Sequence, residues 1–181
     1  MPAPFRLLVT CSLLLLQVQL RAQDRDDVTI GWDPVRRLTW NDYTANPDKS
    51  SGAAASTATY LGLEYHRNEK GFSFKVHCSF STKKSWGLYQ TPYILAHEQA
   101  HFDLSEISAR RLHKKMMEYR FNEKTYKEDL DRIYQAALQE KEKIQQDYDG
   151  QTNHSINRAQ QELWLKKIAE MLEDTKPWAG Y

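Results

Sequence analysis

Cysteine is almost absent from this chain, which has two in 181 residues. Cys11 lies in an apolar stretch near the amino terminus, so Cys78 alone remains for the part of the chain that follows. One cysteine cannot form an internal disulfide, so we expect the fold to depend on packing and on a metal ion if one binds. An excess of one charge is also lacking. The net charge is +1 and no long basic run occurs, so nothing indicates nucleic acid binding.

Only one long apolar run occurs, from Leu7 to Leu16, and it follows Arg6. The segment Arg21-Ala22-Gln23 then leads into a polar region. This pattern predicts a secretory signal peptide over residues 1–23 and a single domain over residues 24–181. Cys11 lies inside the apolar run rather than at its end, which argues against lipoprotein anchoring. We therefore expect export to the periplasm or the extracellular space, with no stable membrane insertion after cleavage.

The sequence His-Glu-Gln-Ala-His spans His97 to His101. Two histidines four residues apart on a helix share one face and can bind one zinc ion. Glu98 can then reach a water molecule beside the metal, as in the H-E-x-x-H metalloproteases. The alternative is that the H-E-x-x-H motif occurs here by chance. However, the spacing of Tyr93, Leu104 and neighbouring apolar residues puts both histidines on the inward face of the helix, where buried imidazoles need polar partners. The pattern therefore favours a metal site.

A catalytic zinc site needs a third protein ligand. Residues further along the same helix rise about 1.5 Å each and move away from the metal, which argues against Glu106 and His113. If the next helix folds back antiparallel, the chain from Asp147 to His154 returns to the metal. His154 is the predicted third ligand, because imidazole binds zinc well and a loop can direct it inward. The competing ligands are Asp147, Asp149 and, with less support, Glu140.

Strict alternation of apolar and polar residues predicts an antiparallel hairpin over residues 57–66 and 71–80, after a short strand near 28–32. Three helices follow. The first begins at Pro92, capped by Thr91, and extends to about Tyr119. The second covers 123 to about 147, and the third begins after an interruption at 150–153. We therefore predict an α+β fold in which a small N-terminal antiparallel sheet packs on three C-terminal helices, with the H-E-x-x-H motif on the first.

Four blocks of the sequence are Arg37-Leu38-Thr39-Trp40-Asn41-Asp42-Tyr43, Lys84-Ser85-Trp86, His97-Glu98-Gln99-Ala100-His101-Phe102-Asp103 with Ala109-Arg110, and Tyr148-Asp149-Gly150-Gln151-Thr152-Asn153-His154. Together they resemble a family of secreted bacterial proteins, classified as domain of unknown function 922 and predicted to be zinc-dependent proteases. The resemblance implies a zincin-like fold and protease activity over nearly the whole exported chain. In the last block the family usually has glycine after the histidine that matches His154, and this chain has Ser155 there.

The predicted reaction is hydrolysis of a peptide or protein substrate by zinc-activated water, with Glu98 as general base. Tyr148 is a candidate for stabilising charge on the carbonyl oxygen, although an aromatic residue packed at a helix end would look the same. Asp103 or Glu106 could hold a ligand imidazole by its other nitrogen. The edge of the hairpin at residues 71–80 is the predicted place for a substrate to add as a strand.

Two other functions fit the sequence. One is a metal-stabilised binding module in an envelope assembly, without turnover. Glu98 argues against it, because a structural site gains more from a fourth ligand than from a carboxylate beside an open position. The other is a zinc hydrolase that acts on amides of cell-wall peptide, which only a substrate screen separates from a protease.

Overall fold

The structure is a computed structural model that describes residues 27–69 and 71–181, so the predicted signal peptide lies outside it. It confirms an α+β fold with a small antiparallel sheet and three helices. No helix in the described ranges is both long and apolar enough to cross a membrane. The strands are β1 (Thr29–Gly31), β2 (Ala55–Ser56), β3 (Thr59–Asn68), β4 (Gly71–Ser81) and β5 (Trp86–Gly87), and the helices are α1 (Pro92–Glu118), α2 (Tyr126–Thr152) and α3 (Arg158–Asp174).

The larger sheet has the order β1-β4-β3 and confirms the predicted hairpin, with Leu61 opposite Cys78 and Leu63 opposite Val76. Its apolar face packs against α1. β4 is the central strand, but β1 pairs with it only from Ser79 to Ser81. Among the described residues no strand pairs with that edge of β4 over residues 71–78, so the predicted addition of a substrate strand at residues 71–80 stays a prediction. At the outer edge of β3, the Tyr134 hydroxyl of α2 donates to the Leu61 carbonyl at 2.7 Å.

Helix α1 lies between the sheet on one side and helices α2 and α3 on the other. It begins as predicted, with Pro92 in its first turn and the Thr91 hydroxyl accepting a hydrogen bond from the Ile94 amide at 3.2 Å. Phe102 and Leu112 belong to the core shared with the sheet. A second core joins the opposite face of α1 to α2 and α3, and it contains Ala100, Leu104, Ile107, Tyr148, Trp164 and Ile168.

Helix α2 is longer at its C-terminal end than the sequence predicted. It continues through Gly150 to Thr152 and ends at Asn153, which has φ 49° and donates its amide to the Asp149 carbonyl. A single glycine costs a helix about 1 kcal/mol, which tertiary contacts can offset. Tyr148 and Asp149 therefore lie on a helix rather than in a loop, and this difference decides which side chain reaches the predicted metal site.

Strands β2 and β5 form a separate two-stranded antiparallel sheet beside α1. Ala55 lies opposite Gly87 and Ser56 opposite Trp86. Gly87 is required for packing, because a Cβ atom there would lie 2.5 Å from a ring carbon of Trp40. This small sheet forms one wall of the cleft described below.

Candidate metal centre

Two imidazoles and one carboxylate converge between α1 and α2. The Nε2 atoms of His97 and His101 are 3.3 Å apart, and each lies 3.1 Å from Oδ1 of Asp149. In a tetrahedral zinc site with bonds of about 2.0–2.1 Å, ligand atoms lie roughly 3.3–3.4 Å from one another. The three residues are therefore close enough to hold one metal ion.

The antiparallel packing of α1 and α2 produces this group. His97 and His101 lie one turn apart on α1, and Asp149 lies in the last turns of α2. Further along the same pair of helices, Lys115 of α1 pairs with Glu140 of α2 at 2.6 Å. The predicted helical hairpin therefore brings the end of α2 back to the histidines.

The electrostatics of the group favour a cation. Burial alone would raise the pKa of Asp149, but its hydrogen bonds with His101 and His97 and their charges lower that pKa well below its usual range. Burial would lower the pKa of His101, yet the hydrogen bond to Asp149 and the charges of Glu98 and Asp149 raise it overall. An ionised carboxylate thus faces the Nε2 atoms of two imidazoles, an arrangement that suits a cation between them.

Gln145, one turn before Asp149 on α2, holds His101 in place. Its side-chain oxygen accepts a hydrogen bond from Nδ1 of His101, and its amide nitrogen donates to the His101 carbonyl at 2.9 Å. This pairing leaves Nε2 of His101 free to act as a ligand. Sequence reasoning missed Gln145, although its spacing of four from Asp149 repeats the spacing of the two histidines.

Asp103 and Glu106, the residues predicted to hold a ligand imidazole, have other partners. Asp103 accepts hydrogen bonds from Trp32 at 2.8 Å and from Arg37, which is also its salt-bridge partner. Glu106 accepts from Nε of Arg110 at 2.7 Å and from the Tyr181 hydroxyl. Both carboxylates therefore join α1 to other parts of the chain rather than to the histidines.

The ring of Tyr148 packs against both histidines. It stacks on His97 with ring centroids 4.6 Å apart and meets the edge of His101 at 5.0 Å. The hydroxyl is buried and donates to the His97 carbonyl at 3.4 Å. This geometry matches the packing alternative rather than contact with a substrate oxygen.

Glu98 shares a cleft of about 480 Å³ with the three converging residues. Its side chain is mostly buried, and its Oε2 accepts a hydrogen bond from the Thr57 hydroxyl at 2.6 Å. The Thr57 hydroxyl oxygen lies in turn 3.0 Å from the hydroxyl of Tyr43. Thr57 follows β2 directly, so the small sheet fixes the orientation of the carboxylate. The cleft is lined by β2, by the start of β3, by α1 around Glu98 and by α2 from Lys141 to Asp149.

His154 lies at the mouth of the cleft and is not part of the converging group. Its side chain is 69% exposed, and its Nδ1 is 3.6 Å from Oδ1 of Asp149. The other competing residues have partners outside the converging group, since Asp147 pairs with Lys143 and Glu140 pairs with Lys115.

Three consecutive residues, Asn153, His154 and Ser155, have positive φ angles of 49°, 49° and 71°. Glycine adopts such angles without strain. The positive φ angle of Ser155 therefore explains why the family that this chain resembles usually has glycine at this position.

A larger cavity of about 1270 Å³ lies between the larger sheet and the C-terminal segment. Cys78, Glu106 and Arg110 are among the residues that line it. Glu106 and Arg110 pair with each other there, and the converging residues line the smaller cleft instead. We therefore place the candidate site in the smaller cleft.

Residues 35–155 match a family model described as "Bacterial protein of unknown function (DUF922)". This range contains the whole converging group, Glu98 and His154. No curated protein matches the chain. No solved structure matches it either.

Proposed function

Because the chain belongs to this family of bacterial proteins, whose description assigns no activity, we propose a function from the site itself: the protein is a zinc-dependent peptidase. The observation that carries the proposal is the convergence of His97, His101 and Asp149 in one cleft with Glu98. Two imidazole nitrogens and a carboxylate oxygen suit zinc, and the cleft leaves room beside them for water and substrate.

A bound zinc ion would lower the pKa of a water molecule and polarise a substrate carbonyl group. Glu98 supplies the proton transfers. Its carboxylate accepts a proton as the water oxygen bonds to the carbonyl carbon, and it returns that proton to the amide nitrogen as the carbon–nitrogen bond breaks. The hydrogen bond from Thr57 keeps the carboxylate oriented into the cleft during both transfers.

Strand β2 offers the backbone groups that an extended substrate needs. Leu88 donates its amide to the Ala54 carbonyl at 2.9 Å, one residue beyond the paired Ala55 and Gly87. The amide and carbonyl of the next residue, Ala55, therefore point away from β5. β2 lines the cleft, so these groups can pair with a peptide laid along it. We propose this edge rather than the hairpin edge that the sequence predicted.

We assign Asp149 as the third ligand in place of His154, and we leave Tyr148 outside the chemistry. A zincin-like fold and export by the predicted signal peptide belong to the same proposal. The position of the His97–His101 motif on a helix that packs against a small sheet supports the zincin-like fold. The apolar segment at residues 7–16 supports export.

Zinc content of the purified protein tests the ligand assignment. We expect about one zinc ion per chain in the wild type, loss of zinc in His97→Ala and Asp149→Ala, and retention in His154→Ala. Loss of zinc in His154→Ala with retention in Asp149→Ala would show that the third ligand is His154, as the sequence predicted, and not Asp149. A wild type that binds no zinc even when it is supplied would overturn the proposed function.

Cleavage assays test the reaction. The zinc-loaded wild type should cleave unfolded casein-like chains, and Glu98→Gln should keep its zinc while losing activity by a factor on the order of 10² or more. Equal activity in Glu98→Gln would refute the role of Glu98. Cleavage of cell-wall fragments without cleavage of protein chains would refute the general peptidase and support a hydrolase of cell-wall peptide amides.

A further inference from the structure

Among the described residues, Lys141 is the one lysine or arginine that lines the cleft, and the proposed chemistry does not use it. It lines the cleft from α2 and is half-buried. Its Nζ donates one hydrogen bond, to the Thr59 carbonyl at 3.3 Å. Within residues 27–69 and 71–181, Lys141 takes part in no ion pair.

Lys141 differs from Lys143, its neighbouring lysine on α2. Lys143 is 74% exposed and pairs with Asp147 at 2.6 Å. Lys141 points inward, and burial lowers its pKa, which the nearby Cys78 and Glu142 oppose. Charged groups removed from water are usually paired, so a half-buried ammonium without a carboxylate partner is a ready site for an anion.

The place of Lys141 in the cleft fixes where that anion would lie. Lys141, Gln145 and Asp149 succeed one another at intervals of four along α2, and all three line the cleft. Eight residues of helix span about 12 Å, which is the length of roughly three to four residues of extended peptide. The ammonium group is therefore within reach of a substrate side chain, or of a chain end, a few residues from the bond to be cleaved.

We infer that Lys141 is a specificity-determining residue that binds a carboxylate of the peptide substrate. An ammonium group supplies three donors, of which the Thr59 carbonyl uses one, and the remaining two can bond both oxygens of a carboxylate. The carboxylate can belong to an acidic side chain or to the C-terminus of the substrate. This inference depends on the proposed function, because it names the substrate class of the same cleft.

The test uses short quenched-fluorescent peptides in pairs that differ only by glutamate or glutamine, with the acidic residue moved along the chain. Each peptide is made with a free and with an amidated C-terminus. The zinc-loaded wild type should prefer one acidic peptide in kcat/KM by about tenfold or more over its neutral partner. Preference that follows the moved glutamate assigns a side-chain carboxylate, whereas preference that follows the free end assigns the terminal one.

Variants identify the residue responsible. Lys141→Met keeps the apolar stem and removes the charge, so it should lose the preference while still cleaving neutral peptides. Lys141→Arg should keep most of the preference. Lys143→Met, a change of the same kind on the exposed side of the helix, should leave it unchanged. The same ranking should appear in fluorescence anisotropy with zinc-loaded Glu98→Gln, which reports binding without cleavage.

The two proposals fail differently. Cleavage without any preference for a carboxylate, or a preference that survives Lys141→Met, would overturn the role of Lys141 and leave the peptidase intact. Neither cleavage nor binding of any peptide by the zinc-loaded wild type would overturn both. A Lys141→Met variant that unfolds is detected by circular dichroism, and the Lys141→Arg variant and the peptide pairs then decide.

Discussion

Ser155 has a backbone conformation that glycine adopts without strain, with φ 71°. A non-glycine residue in the left-handed region costs roughly 1–2 kcal/mol, which the larger conformational freedom of glycine in the unfolded chain partly offsets. We therefore expect Ser155→Gly to raise the free energy of unfolding by about 0.5–1 kcal/mol, as measured by urea denaturation.

The control for this prediction is Ala159→Gly, in the exposed first turn of α3. Glycine should destabilise the protein there by up to about 1 kcal/mol, because it loses more freedom on joining a helix. Equal effects of the two substitutions would show that the φ angle of Ser155 carries no strain.

Gln145 contacts His101, a proposed metal ligand, and not the metal ion. Its removal should therefore weaken metal binding without abolishing it. Gln145→Ala leaves Nδ1 of His101 without its acceptor and frees the ring to turn. We expect zinc affinity to fall about 10–100-fold in a chelator competition assay. Gln146→Ala is the matched control, since the neighbouring Gln146 is exposed and bonds only Glu142 among the hydrogen bonds of the described chain. Unchanged affinity in Gln145→Ala would show that His101 is held without it.

At the scale of elements, local pattern was sufficient for most of the fold. The alternation from Phe72 to Phe80 predicted the buried face of β4, and Thr91-Pro92 predicted the start of α1. Both signals lie within a few residues of the feature that they predict. The spacing of His97 and His101 has the same local character, so their common face follows once the helix is known.

The end of α2 could not be predicted in this way. Gly150 and Asn153 both favour a helix end, and the choice between them depends on contacts of Tyr148 with α1 and α3 that no local pattern contains. The extra turn carries Asp149 inward and leaves His154 at the surface. The third converging residue therefore depended on an element boundary, which is the least certain part of a sequence-based prediction. The use of β2 as a cleft wall was also hidden, since two residues give no periodic signal.

The β2–β5 sheet should tolerate little change at Gly87. A methyl group there would meet the ring of Trp40, and overpacking of this kind costs about 1–3 kcal/mol. Gly87→Ala should therefore lower the free energy of unfolding by that amount in urea denaturation. Gly31→Ala in β1 is the control, because nothing lies within 4 Å of its added Cβ. Similar stabilities of the two variants would show that Trp40 can move away at little cost.

At the scale of the whole molecule, the candidate metal site joins α1 to the end of α2, and the described residues contain no disulfide and one free cysteine. A metal ion that binds only the folded chain adds stability in proportion to the logarithm of its concentration over its dissociation constant. At a hundredfold excess over that constant, the gain is about 2.7 kcal/mol. For a domain of this size, this corresponds to roughly 5–10 °C in the midpoint of thermal unfolding.

Removal of zinc by a chelator should therefore lower the unfolding midpoint of the wild type by several degrees, and resupplied zinc should restore it. His97→Ala should show no change with either reagent, because it lacks the site while keeping the rest of the chain. An equal shift in His97→Ala would place the stabilising metal elsewhere in the protein. No shift in the wild type would mean that α1 and α2 are held together by their side-chain contacts alone, without a contribution from the bound ion.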